Sequence, residues 1–121
     1  MTAAEMFSTI SAGSFFEKVF DKELDWDAEL DARDTHEFDS AWNSSYEKLH
    51  ELSPSESQTT RDIREYAFKQ TFRITRNAEL AGYVSDDLGL ISTALENNIQ
   101  IEFINNLWNS YLKGNFPTCI K

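Results

Sequence analysis

The sequence predicts an all-α protein, an irregular bundle of five or six helices forming one domain over residues 1–121. Three observations point there. Apolar residues recur at steps of three and four along most of the chain, the spacing of one helical face. Only four Gly and two Pro occur, too few for the tight turns of a sheet-rich fold. Candidate caps such as Ser14, Asp34, Ser85 and Gly114 stand where those periodic runs begin or end.

The first predicted helix runs from Thr2 to about Ser11, with Ala3, Met6, Phe7 and Ile10 on one face and Gly13 as its breaker. Ser14 with Glu17 three residues on reads as a capping box for a second helix. That helix carries Phe15, Phe16, Val19 and Phe20, and Leu24 continues its stripe. From Glu23 to Ala32 acidic and apolar residues alternate. Period two is a strand signal, but Asp and Glu are poor strand formers and no Val, Ile or Thr occurs there. The stretch is therefore read as a helix end running into irregular or loosely helical chain.

Asp34, with Glu37 three residues later, is the predicted N-cap of a helix to Leu52. Its apolar face holds Phe38, Trp42, Tyr46, Leu49 and Leu52, and a loop around Pro54 follows. A long helix is then expected over residues 56–81, ended by Gly82. It has Ile63, Tyr66, Ala67 and Ile74 on one side and Phe68 and Phe72 on another, which suits a central position. Ser85 opens the next predicted helix, where capping accounts for Asp86 and Asp87 beside Tyr83. Asn97 or Asn98 opens the last segment. Residues 99–103 alternate as a short strand would, but Phe103 to Leu112 fits a helix better, stopped by Gly114 and Pro117.

With 40% apolar and 13% aromatic residues, the chain is not read as disordered. The one cysteine, Cys119, cannot form an internal disulfide and is read as incidental. No signal peptide and no run of about 20 apolar residues is evident, so cytosol is the expected location. The net charge is −10. It argues against binding nucleic acid or an anionic membrane and suits a basic protein partner.

Most of that charge lies between Glu17 and Asp39, where ten acids face three bases for a net of −7. The predicted partner-binding set is Asp21, Glu23, Asp25, Trp26, Asp27, Glu29, Asp31 and Asp34. Such a field speeds encounter with a basic protein, and a Trp within it can anchor a contact. The competing reading has Trp26 in the core and the acids as a solvated face. No metal is expected. An EF-hand loop counted from Asp25 would need Gly at its sixth and Glu at its twelfth place, and those places hold Leu30 and His36.

No catalytic residue and no cofactor is expected. His36 and His50 lie in no Ser, Cys or metal motif, and no phosphate loop occurs. Arg61, Arg64, Lys69, Arg73 and Arg76 form a basic cluster, read as pairing internally rather than as an anion site. Small acidic domains that block nucleases, as bacterial immunity proteins do, share this size and charge; the likeness is one of composition and not of residues. The expected function is therefore a non-enzymatic protein-binding domain of inhibitor type. The alternative is a homo-oligomeric scaffold whose interface uses Phe15, Phe16, Phe20, Trp42, Phe68, Phe72 and Trp108.

Overall fold

The computed structural model describes residues 1–118; Cys119 lies outside them. Among those residues the chain forms seven α-helices and no strand: α1 (Ala3–Ser11), α2 (Phe15–Phe20), α3 (Trp26–Arg33), α4 (His36–Leu52), α5 (Gln58–Thr75), α6 (Ala78–Glu96) and α7 (Glu102–Leu112). The class is all-α as predicted, with one helix more than the upper expectation. The hydrophobic core draws on every helix, from Met6 and Ile10 in α1 to Leu107 and Tyr111 in α7.

α1 begins in a capping box. The Glu5 backbone N–H donates to Thr2 Oγ1 at 3.1 Å, and the Thr2 N–H donates to Glu5 Oε1 at 3.0 Å, so two orphan donors are satisfied reciprocally. The box predicted at Ser14 does not form: Ser14 makes no side-chain cap bond. Glu17 turns outward and accepts from Arg73 Nη2 at 2.7 Å. α2 ends at Phe20, and Leu24 is exposed in the link that follows, so it does not extend the apolar stripe.

The additional helix comes from the acidic stretch. Asp25 accepts from the Ala28 N–H at 3.2 Å, and Asp27 and Glu29 follow in the first turn. A cap and two acids at the positive end of a helix dipole outweigh the weak helix propensity of Asp. Asp34 is then used as the C-cap of α3, so Thr35 caps α4 in place of the predicted Asp34, accepting from Phe38 N–H at 3.2 Å. On α4 only part of the expected face is inside. Phe38 and Leu49 are buried, while Tyr46 and Leu52 are exposed.

The largest departure lies in the middle of the chain. α5 stops at Thr75, Arg76 adopts a left-handed conformation (φ 58°, ψ 21°), and Asn77 caps α6 by accepting from Leu80 N–H at 3.0 Å. The two helices fold back on each other as an antiparallel pair: Thr60 Oγ1 meets Ser92 Oγ at 2.8 Å, and Arg64 reaches Asp86. Gly82 and Ser85, predicted as a stop and a start, therefore lie inside α6. The apolar pattern runs through the turn because both sides of it are core, so periodicity alone does not reveal the reversal. α6 is the central helix, with eleven of its residues buried. α7 starts at Glu102 after Asn98 with φ 54°, and Gly114 with φ 80° follows its C-cap.

Of the seven aromatics considered for a subunit interface, Phe16, Phe20 and Trp108 are buried and Phe15, Trp42 and Phe72 partly so; only Phe68 is exposed.

Candidate partner-binding face

The predicted acidic residues spread across α2, the link after it and α3. Asp21 is the C-cap of α2, Glu23 lies in the link, and Asp25 caps α3. Asp27 and Asp31 are exposed on α3, Glu29 is half-buried, and Asp34 is exposed at the far end. Alternation in sequence does not gather these acids on one side. At about 100° per residue, Asp27 and Asp31 share one flank about 40° apart, whereas Glu29 falls on the opposite flank, about 160–200° round. Between the flanks runs the inward stripe of Trp26, Leu30 and Arg33.

Trp26 is half-buried. Its ring lies 5.4 Å from Phe20 and 6.4 Å, edge-on, from Phe116, both centroid distances. It helps seat α3 on the core, and the carboxylates are what α3 shows to solvent.

The groups that hold this face in place centre on a carboxylate that the sequence reading treated as a capping acid. Asp87 is fully buried in the middle of α6. Its Oδ2 accepts from Arg33 Nη1 at 2.8 Å and from the Tyr111 hydroxyl at 2.6 Å. Its Oδ1 accepts from Arg33 Nη2 at 2.5 Å and from Trp42 Nε1 at 2.9 Å. Four donors meet the roughly four acceptor sites of a carboxylate, so its charge is fully engaged. They come from α3, α4 and α7, which ties three helices to α6 at one point. The Arg33 guanidinium also lies 4.6 Å from the Phe38 ring centroid, 5.0 Å from Phe116 and 5.4 Å from Tyr83.

Burial opposes the charge on Arg33, but Asp87 and then Tyr111 outweigh it and hold the guanidinium protonated above its ordinary range. Burial and the adjacent Asp87 carboxylate push the Tyr111 hydroxyl well up, with Arg33 pulling the other way. A Tyr kept neutral and an Arg kept charged around one carboxylate form a structural clamp. The sequence does carry a signal for it: Asp87 interrupts the buried stripe of Leu80, Val84 and Ile91, and Arg33 interrupts the stripe of Trp26 and Leu30. Two opposite charges on two apolar faces are a pair in waiting.

Arg64, Lys69 and Arg73 of the basic cluster pair with acids of the protein itself. Arg64 donates to Glu56 at 2.8 Å and to Asp86 at 2.9 Å, Lys69 to Glu65 at 2.6 Å, and Arg73 to Glu17. Arg61 lies 3.8 Å from Glu56, and Arg76 stands over Phe72. Arg64 can cross α6 because Gly89 has no side chain; a Cβ there would stand 2.6 Å from Arg64 Cδ. Burial raises the Asp86 carboxyl, against the pull of Arg64. His50 borders a groove with Glu56 and Asp86, its ring stacked on Tyr46 at 5.7 Å; both carboxylates are already engaged by Arg64. His36 is exposed in the first turn of α4. Among the described residues, no three His, Cys, Asp or Glu side chains group as metal ligands would, and no helix is long and apolar enough to cross a membrane.

These observations define a class: a small all-α protein whose buried polar groups serve to hold helices together, with carboxylates outside, on both flanks of α3 and in the segments beside it. Residues 5–118 match the model of the family described as immunity protein PIM1, and the chain belongs to that family. Immunity proteins act on a protein partner, so the coarse function is an immunity-type protein. No curated protein matches the chain.

Proposed function

We propose that this protein neutralises a basic protein toxin by binding it through the carboxylates of α2, α3 and the link between them, and that it acts as an inhibitor with no catalysis of its own. The observation that carries this reading is the outward charge from Glu17 to Asp39. Arg33 is withdrawn into the core by Asp87, and Glu17 is matched by Arg73. Nine carboxylates remain against Lys18 and Lys22, a net of −7 over α2, the link, α3 and the first turn of α4. Asp21, Glu23, Asp25, Asp27, Glu29, Asp31 and Asp34 form its centre. A nuclease fits the chemistry best, because carboxylates can take the places that nucleic-acid phosphates occupy in a basic active site. Long-range attraction of this kind sets the association rate and falls with salt.

The test begins with affinity capture from source-cell lysate at low and high salt and identification of the retained protein. Stopped-flow association is then measured with the variant Asp25→Asn, Asp27→Asn, Glu29→Gln, Asp31→Asn. Asn keeps the helix cap at position 25. Association at low salt should slow about tenfold or more. An unchanged on-rate, or a partner with no basic surface, overturns the proposal.

A further inference from the structure

A cleft of about 200 Å³ opens directly above the Asp87 clamp, between the end of α3, the first half of α4 and the middle of α6. Phe38, Trp42 and Tyr83 line it, and Asp34, Asp39 and Asp86 stand exposed around it. Arg33 lies at its base, but that charge is cancelled by Asp87 beneath. The cleft therefore presents aromatic surface among three carboxylates, of which Asp86 is shared with Arg64 and Asp39 accepts from Asn43 Nδ2 at 3.2 Å.

Its size and chemistry select the occupant. One turn of helix about 10 Å across fills roughly 400 Å³, so the cleft takes a single side chain and not a helix. A cation is favoured by the carboxylates and by the aromatic faces alike. The Trp42 N–H is already used by Asp87 and its ring stacks on Tyr46 at 5.9 Å, so Trp42 offers the cleft apolar surface and no donor. The protein seats one guanidinium of its own against this wall, since Arg33 lies 4.6 Å from the Phe38 ring centroid and 5.4 Å from that of Tyr83. A planar guanidinium can stack on Tyr83 while donating to two carboxylates at once, which an ammonium does less well. We propose that this cleft is the anchor site for one arginine side chain of the basic partner, a proposal that rests on the partner-binding reading above. The acids of α3 would then govern how fast the partner arrives, and the cleft how long it stays.

The first experiment needs no partner. N-acetyl-arginine amide is titrated into the labelled protein while the Trp42 indole N–H and the Tyr83 amide are followed by NMR, with N-acetyl-norleucine amide as the uncharged control. A saturable shift at both positions is expected with the arginine probe within about 100 mM, the range of single-side-chain contacts. The double variant Asp34→Asn, Asp39→Asn should weaken it at least about fivefold, as loss of two charge contacts requires. No saturable shift, an equal response to the norleucine probe, or shifts centred on Asp27 and Asp31 overturns the cleft while leaving the acidic face untouched. With the partner in hand, Tyr83→Ala should raise the dissociation rate about tenfold and leave association within about twofold; an unchanged dissociation rate overturns the anchor. If the α3 variant binds at an unchanged rate while the cleft still takes the arginine probe, the charge-steering reading fails and the cleft stands.

Discussion

At Asp87 one carboxylate meets Arg33, Trp42 and Tyr111 inside the protein; from Asp21 to Asp34 seven carboxylates face mostly solvent. The groups are chemically the same, and burial alone separates their roles. A carboxylate out of water is tolerable only with its oxygens fully met, and it then fixes the positions of whatever meets it. An exposed one costs little, positions little, and keeps its charge available to something approaching from outside. Arg33 joins the two regions: it closes α3, the acidic helix, and its head group is inside.

The largest effect should come from Asp87→Asn, which leaves the Arg33 charge buried without a counter-charge. Urea unfolding should show a loss of about 3–5 kcal/mol, and a loss below about 1 kcal/mol would remove the distinction between the two regions. Tyr111→Phe deletes one charge-assisted hydrogen bond and should cost about 1.5–3 kcal/mol. The same residue gives the clamp a pH signature. In the unfolded chain Tyr111 ionises near the ordinary value of about 10, while in the fold it stays protonated to higher pH. Above about pH 10 the unfolded state therefore binds fewer protons, and stability falls as pH rises toward the folded value. Melting curves from pH 9 upward should show this alkaline loss in the parent and a smaller one in Tyr111→Phe. The smallest effect per residue belongs to the exposed region: each neutralisation on α3 should cost about 1 kcal/mol or less, the first-turn acids Asp27 and Glu29 most, even as together they slow association.

Much of this was legible in the residues. Regular apolar spacing and scarce Gly and Pro announce helices, and α1, α4 and α7 begin within a few residues of where spacing and caps place them. The hairpin at Arg76 and Asn77 was hidden because the helices on both sides of it face the core, so the apolar repeat does not falter where the chain reverses. A glycine and a serine further on, Gly82 and Ser85, offered better-looking punctuation and sit inside α6. That shift of register carried Asp87 from a supposed first turn to the centre of the core. The exposed acids could be named from composition alone. The clamp leaves a trace there, two opposite charges on apolar stripes, but its pairing and the cleft above it depend on which faces of α3, α4, α6 and α7 meet, a fact of tertiary packing. Trp26 shows the same limit: its place among acids was plain, but its direction depended on Phe20 and Phe116.

α3 is eight residues long, too short to persist in water by itself. Its last residue is gripped by Asp87, its first packs on Phe20 and Phe116, and Leu30 is buried between them. Carboxylates carried on a loose segment would surrender backbone freedom whenever a partner arrived, and that lost entropy would weaken the complex. Here the ordering is completed during folding. Partners should therefore meet a template of fixed shape, and changes in its geometry should act on their selectivity even where every charge is kept.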